Sequence, residues 1–94
     1  MEGQPAHLSI TGEVTSTSSR NLVATLQGRS GSTNQILVSA HWDSHRGPGA
    51  LDNASGVSML IELARYFSGK DQPPECTLKF LALGAEELGL LGSK

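Results

Sequence analysis

Three short segments hold the side chains that chemistry would need. His41-Trp42-Asp43 sets an imidazole two residues from a carboxylate. A neutral imidazole is a good zinc ligand, and a ligand histidine usually donates its other N–H to an oxygen that fixes the tautomer. Gly49-Ala50-Leu51-Asp52-Asn53-Ala54-Ser55-Gly56 places Asp52 among small residues that let the backbone crowd a compact site. Glu86-Glu87 offers two carboxylates, one to bind a metal and the other to take a proton from metal-bound water. Each segment has a structural reading too, and taken singly that reading is the commoner one. A strand-end histidine can be capped by a nearby aspartate. Asp52 or Asn53 can be the N-cap of a following helix. Acidic residues in a helix's first turn favour its dipole. Taken together the balance reverses, because three separate strand and helix ends would bring His, Asp and Glu to one face. Mixed nitrogen and oxygen donors suit zinc, with manganese or cobalt as substitutes.

The elements that position these segments follow from periodicity. His7 to Val14 alternates apolar and polar residues and predicts a half-exposed strand. Thr15 to Ser19 reads as a hydroxyl-rich turn. Asn21 to Leu26 predicts a second strand ended by Gly28, and Arg29 to Asn34 a flexible loop. Gln35 to Ala40 is a nearly continuous apolar run, which suits a strand buried on both faces of a parallel sheet. After the breaker-rich loop Arg46 to Ala50, a helix is expected from about Asn53. Its apolar stripe is Val57, Leu60, Ile61, Ala64 and Phe67, and Ser68-Gly69 and Pro73-Pro74 end it. Cys76 to Leu83 predicts another buried strand. Strand, helix and strand at this spacing make a βαβ unit with a right-handed crossover. Each candidate segment then lies beyond a parallel strand or at the mouth of the crossover helix, where open α/β sheets place their ligands.

Bulk properties exclude several classes. The chain has 94 residues, enough for one small domain or a piece of a larger one. Its net charge of −2 gives no basic field for a nucleic acid or an acidic membrane. The single cysteine, Cys76, forms no intrachain disulfide and is expected as a buried strand thiol. No run approaches the roughly 20 apolar residues of a membrane span. The polar start, Met1 to Pro5, lacks the apolar core of a signal peptide. Either a cytoplasmic protein or a missing N-terminus would explain it. The apolar pattern opened by Leu88 to Lys94 favours a truncated chain.

From about residue 20 to residue 94 the sequence resembles peptidase family M28. That family's pattern is an apolar strand ending H-x-D-S, then G-A-x-D-N-x-S-G, a helix, a second apolar strand, and G-A-E-E-x-G-L-L-G-S. Every element is present in order, and Asn21-Leu22-Val23-Ala24 resembles the strand that precedes the site. The resemblance implies a partial metallopeptidase catalytic domain over 1–94. Its fold would be an incomplete zinc-exopeptidase α/β fold, a mixed sheet with parallel central strands. It implies two Zn2+ ions, with His41 ligating one, Asp52 bridging both and Glu87 ligating the other. Asp43 would orient His41, and Glu86 would serve as general base and acid. It also implies a cis peptide bond after Asp52.

The family's later Asp and His ligands have no counterpart before Lys94, and neither His7 nor His45 matches them. His45 reads as a solvated loop residue. The expected activity is aminopeptidase hydrolysis of the bond next to a free N-terminus in a peptide substrate, with this chain inactive alone. The family suggests a secreted or periplasmic location. A non-catalytic binding domain, or a carboxypeptidase or glutaminyl cyclase relative, is the alternative.

Overall fold

The computed structural model describes residues 3–29, 31 and 33–94. Ser30 and Ser32 of the expected loop, and Met1 and Glu2 at the start, lie outside the described residues. The elements run β1 (Leu22–Leu26), β2 (Gln35–His41), α1 (Ser55–Ser68) and β3 (Thr77–Leu83). A single wide helical turn, Ala50–Ala54, leads into α1, and a short 3₁₀ turn, Leu91–Ser93, follows β3.

The sheet order is β1-β3-β2. β2 runs parallel to β3, with Ile36 opposite Leu78 and His41 opposite Leu83. β1 runs antiparallel to β3, with Leu22 opposite Ala82 and Leu26 opposite Leu78. The sheet is therefore mixed, and the parallel pair flanks α1 in sequence as the βαβ spacing requires. Side chains alternate between faces along a strand, so Leu78, Phe80 and Ala82 share one face. They meet Ala40, Val38 and Leu26 from the neighbouring strands and Val57, Leu60, Ala64 and Phe67 from α1. This cluster is the core beneath α1. Thr77 is the buried polar residue beside it, and its hydroxyl accepts the Gly28 N–H and the Gln27 amide, both at 3.1 Å.

Four expectations are corrected. His7 to Val14 forms no strand, and Leu8 and Ile10 are 81% and 82% exposed. An alternating segment becomes a strand only by pairing, and no described strand pairs with it. β2 is not buried on both faces: it is an edge of this sheet, and Ile36 and Leu37 stand exposed. Ile61 is exposed rather than part of the packed stripe, which is narrower than the periodicity suggested. Cys76 lies just before β3 and is half-buried, with Thr77 and Leu78 taking the buried positions.

Candidate metal centre

His41 closes β2, and one further parallel bond, Trp42 N–H to the Leu83 carbonyl at 2.9 Å, carries the pairing past it. Its imidazole is largely enclosed. Nδ1 lies 3.1 Å from the Asp43 backbone carbonyl, and Nε2 lies 3.0 Å from Asp52 Oδ1 and 3.8 Å from Glu86 Oε2. A carbonyl only accepts, so Nδ1 carries a proton; the Asp52 carboxylate also only accepts, so its contact with Nε2 uses a second proton, whose place a metal would take. Burial pulls the His41 pKa down, but the Asp43 carbonyl and the Glu86 and Asp52 carboxylates outweigh it, and the pKa is raised.

Asp52 enters from the turn before α1. The N-cap reading falls to its neighbour: the Asn53 side chain accepts the Gly56 N–H at 3.0 Å, while Asp52 aims at His41. Gly56 leaves the room this requires, because a Cβ there would collide with the Asn53 carboxamide. Asp52 and Asn53 have non-helical dihedrals inside the wide turn, and the bond between them is cis.

Glu86 and Glu87 lie on a turn beyond β3, not in the first turn of a helix. Ala85, at φ 54°, turns the chain out of the strand, and Gly89 and Leu90 both donate their N–H groups to the Glu86 carbonyl. Asp43 meets this turn directly. Its carboxylate accepts the N–H of Glu86 on one oxygen and that of Glu87 on the other, both at 3.1 Å. Burial pushes the Asp43 pKa up, but these two N–H groups overcome it and hold the carboxyl below the usual aspartate range. The aspartate therefore touches His41 mainly through its backbone carbonyl; its carboxylate stands 3.6 Å from Nδ1.

The geometry brings His41, Asp52 and Glu87 together, with one donor atom of each within 4.8 Å of the others. Tetrahedral zinc donors at about 2.0–2.1 Å stand about 3.3 Å from one another. One nitrogen and two carboxylates are a donor set whose chemistry fits zinc. Glu86 borders the cluster, while His45 is exposed in the loop after β2. Residue patterns alone did not single out Asn21. Its carboxamide bonds Gly84 and Gly92 at the two ends of the glutamate turn. The available signal was one amide heading an apolar run.

Histidine and carboxylates gathered beyond the carboxyl ends of parallel strands make a candidate metal centre on an α/β chain. Residues 21–94 match the model of Peptidase family M28, and the chain belongs to that family. It is 51% identical over 59 residues to Aminopeptidase YwaD of Bacillus subtilis, covering 62% of this chain and 12% of that protein. It is 42% identical over 82 residues to a probable zinc metalloprotease of Pyricularia oryzae, covering 78% of the chain and 16% of that protein. With the probable lipoprotein aminopeptidase LpqL of Mycobacterium tuberculosis it shares 37% identity over 92 residues, covering 96% of the chain and 18% of that protein. The chain thus spans less than a fifth of the length of these relatives. No solved structure matches it at a significant level.

Proposed function

We propose that this chain is the metal-binding part of a zinc exopeptidase catalytic domain that removes residues from the free N-terminus of a peptide. The observation that carries the reading is the meeting of His41, Asp52 and Glu87 within 4.8 Å. His41 and Glu87 would hold one zinc each, and Asp52 would bridge two. Zinc supplies Lewis acidity there, polarising the scissile carbonyl and lowering the pKa of water. Glu86 borders the ligand cluster without belonging to it, as suits a base that takes the water proton and returns it to the leaving amine. The Asp43 carbonyl holds His41 in the tautomer that offers Nε2, and the Asp43 carboxylate fixes the backbone of both glutamates.

Three protein donors are few for two ions, so the isolated chain should be a poor peptidase. The relatives named as aminopeptidases support a peptide substrate, and the one named as a lipoprotein supports a secreted or periplasmic setting. Among the described residues no helix is long and apolar enough to cross a membrane. The test is zinc bound per chain at equilibrium dialysis, followed by cleavage of aminoacyl-nitroanilides in a polypeptide carrying the rest of the domain. Equal zinc content in the wild type and in His41→Ala would overturn the reading. So would chelator-insensitive turnover.

A further inference from the structure

Asn21 is outside the candidate ligand cluster, yet it holds both ends of the segment that carries Glu86 and Glu87. Its Oδ1 accepts the Gly84 N–H at 3.0 Å, and its Nδ2 donates to the Gly92 carbonyl. Those two ends are in contact: a Cβ on Gly92 would collide with the Gly84 carbonyl and stand 2.7 Å from Asn21 Oδ1. Gly84–Gly92 is thus a closed loop, with the glutamate pair on its perimeter and the Leu91 N–H to Ala85 carbonyl bond, at 3.0 Å, across its neck. Asn21 is fixed in turn from the histidine side. The Trp42 indole, adjacent in sequence to His41, donates to the Arg20 carbonyl at 2.9 Å. One end of the loop is therefore tied to the His41 segment through Arg20 and Asn21, and the glutamates are tied to it through Asp43.

We infer that Asn21 is a positioning residue for the glutamate pair, its carboxamide setting where Glu86 and Glu87 stand relative to His41. The inference rests on the metal reading proposed above. The task needs a donor and an acceptor on one short planar group. Aspartate supplies acceptors only when ionised, and leucine keeps the volume with neither.

Zinc affinity, measured by competition titration, and the visible spectrum of the Co2+-loaded protein test this in Asn21→Asp, Asn21→Leu, Glu87→Gln and Phe67→Leu. Phe67 packs on the core beneath α1, so Phe67→Leu controls for lost stability alone. Both Asn21 variants should bind zinc about 10-fold more weakly, the low end of the cost of losing a ligand's own hydrogen-bond partner because Asn21 acts through the backbone, with an altered Co2+ spectrum. Phe67→Leu should lower the thermal midpoint and leave affinity and spectrum in place. Wild-type affinity and spectrum in folded Asn21→Asp would overturn the inference. If Asn21→Leu does not fold, Asn21→Asp, which retains an acceptor for Gly84 and loses the donor to Gly92, decides alone. Wild-type zinc stoichiometry together with wild-type affinity in Glu87→Gln would overturn the metal reading itself. Loss there, with none at Asn21, would overturn only the role of Asn21.

Discussion

The carboxylate of Asp43 accepts the backbone N–H of Glu87 at 3.1 Å, joining the end of β2 to the turn beyond β3, and its other oxygen does the same for Glu86. A hydrogen bond to a charged group contributes about 1.5–3 kcal/mol, and partial exposure places this pair toward the low end. Asp43→Ala should therefore destabilise the fold by about 2–4 kcal/mol, read from the urea midpoint at constant m-value. Asp43→Asn, which keeps one acceptor, should fall between. A midpoint unchanged in Asp43→Ala would mean that solvent replaces both bonds at no cost.

The metal-free protein should respond to pH through two groups of opposite sign. Asp43 has a lowered pKa, so its contribution is fully present above the ordinary aspartate value and is lost as pH falls through the lower folded value. His41 has a raised pKa, so its contribution is fully present below the ordinary histidine value and fades as pH rises through the raised one. Urea melts from acid to neutral pH should show both slopes. Asp43→Asn should flatten the acid one and His41→Gln the neutral one. Persistence of the acid slope in Asp43→Asn would assign it to another carboxylate.

Zinc should favour the folded chain and reverse the His41 dependence, since the Nε2 proton must leave before a metal binds. At a free concentration of about 100 times Kd the gain is about 2.7 kcal/mol. Calorimetric melts with zinc and with chelator should differ accordingly, the gap widening as pH rises through the histidine range. His41→Ala should close it. An equal gap in that variant would place zinc elsewhere on the chain.

In a polypeptide carrying the rest of the domain, the two glutamates should separate. Glu86→Gln should lose about 10²–10⁴-fold in kcat with zinc content nearly intact, as expected when a general base is removed. Glu87→Gln should lose zinc first and activity with it. The opposite pattern, zinc lost at residue 86 and kept at 87, would exchange their roles.

The parts of this structure legible in the sequence are those governed by short-range pattern. β2, α1 and β3 follow from apolar runs and helical spacing, and their parallel pairing follows from the βαβ order. The meeting of His41, Asp52 and Glu87 could be anticipated because all three residues stand at element ends. What escaped was set by tertiary neighbours. His7 to Val14 has the strand alternation and no strand to pair with. Ile36 and Leu37 read as interior yet line an edge, because alternation does not reveal where a sheet stops. Asn53 rather than Asp52 caps the helix, a choice decided by the direction of one carboxylate. The service of Asp43 to the glutamates, and of Asn21 to the loop ends, joins residues far apart in the chain, which no local window contains.

The position of β3 between its two partners bears on how this chain acquires its shape during synthesis. β1 and β2 leave the ribosome first, but neither pairs with the other, so both wait for Thr77–Leu83. Until then the apolar side chains of Leu22, Val23, Ile36 and Leu37 lie on unpaired backbone, the kind of nascent segment that associates with other chains or with holding chaperones. β3 then recruits both partners, and the glutamate turn emerges directly behind it. Any delay between the emergence of Gln35–His41 and that of Thr77–Leu83 from the ribosome would prolong the vulnerable interval, and prompt delivery of Thr77–Leu83 would shorten it.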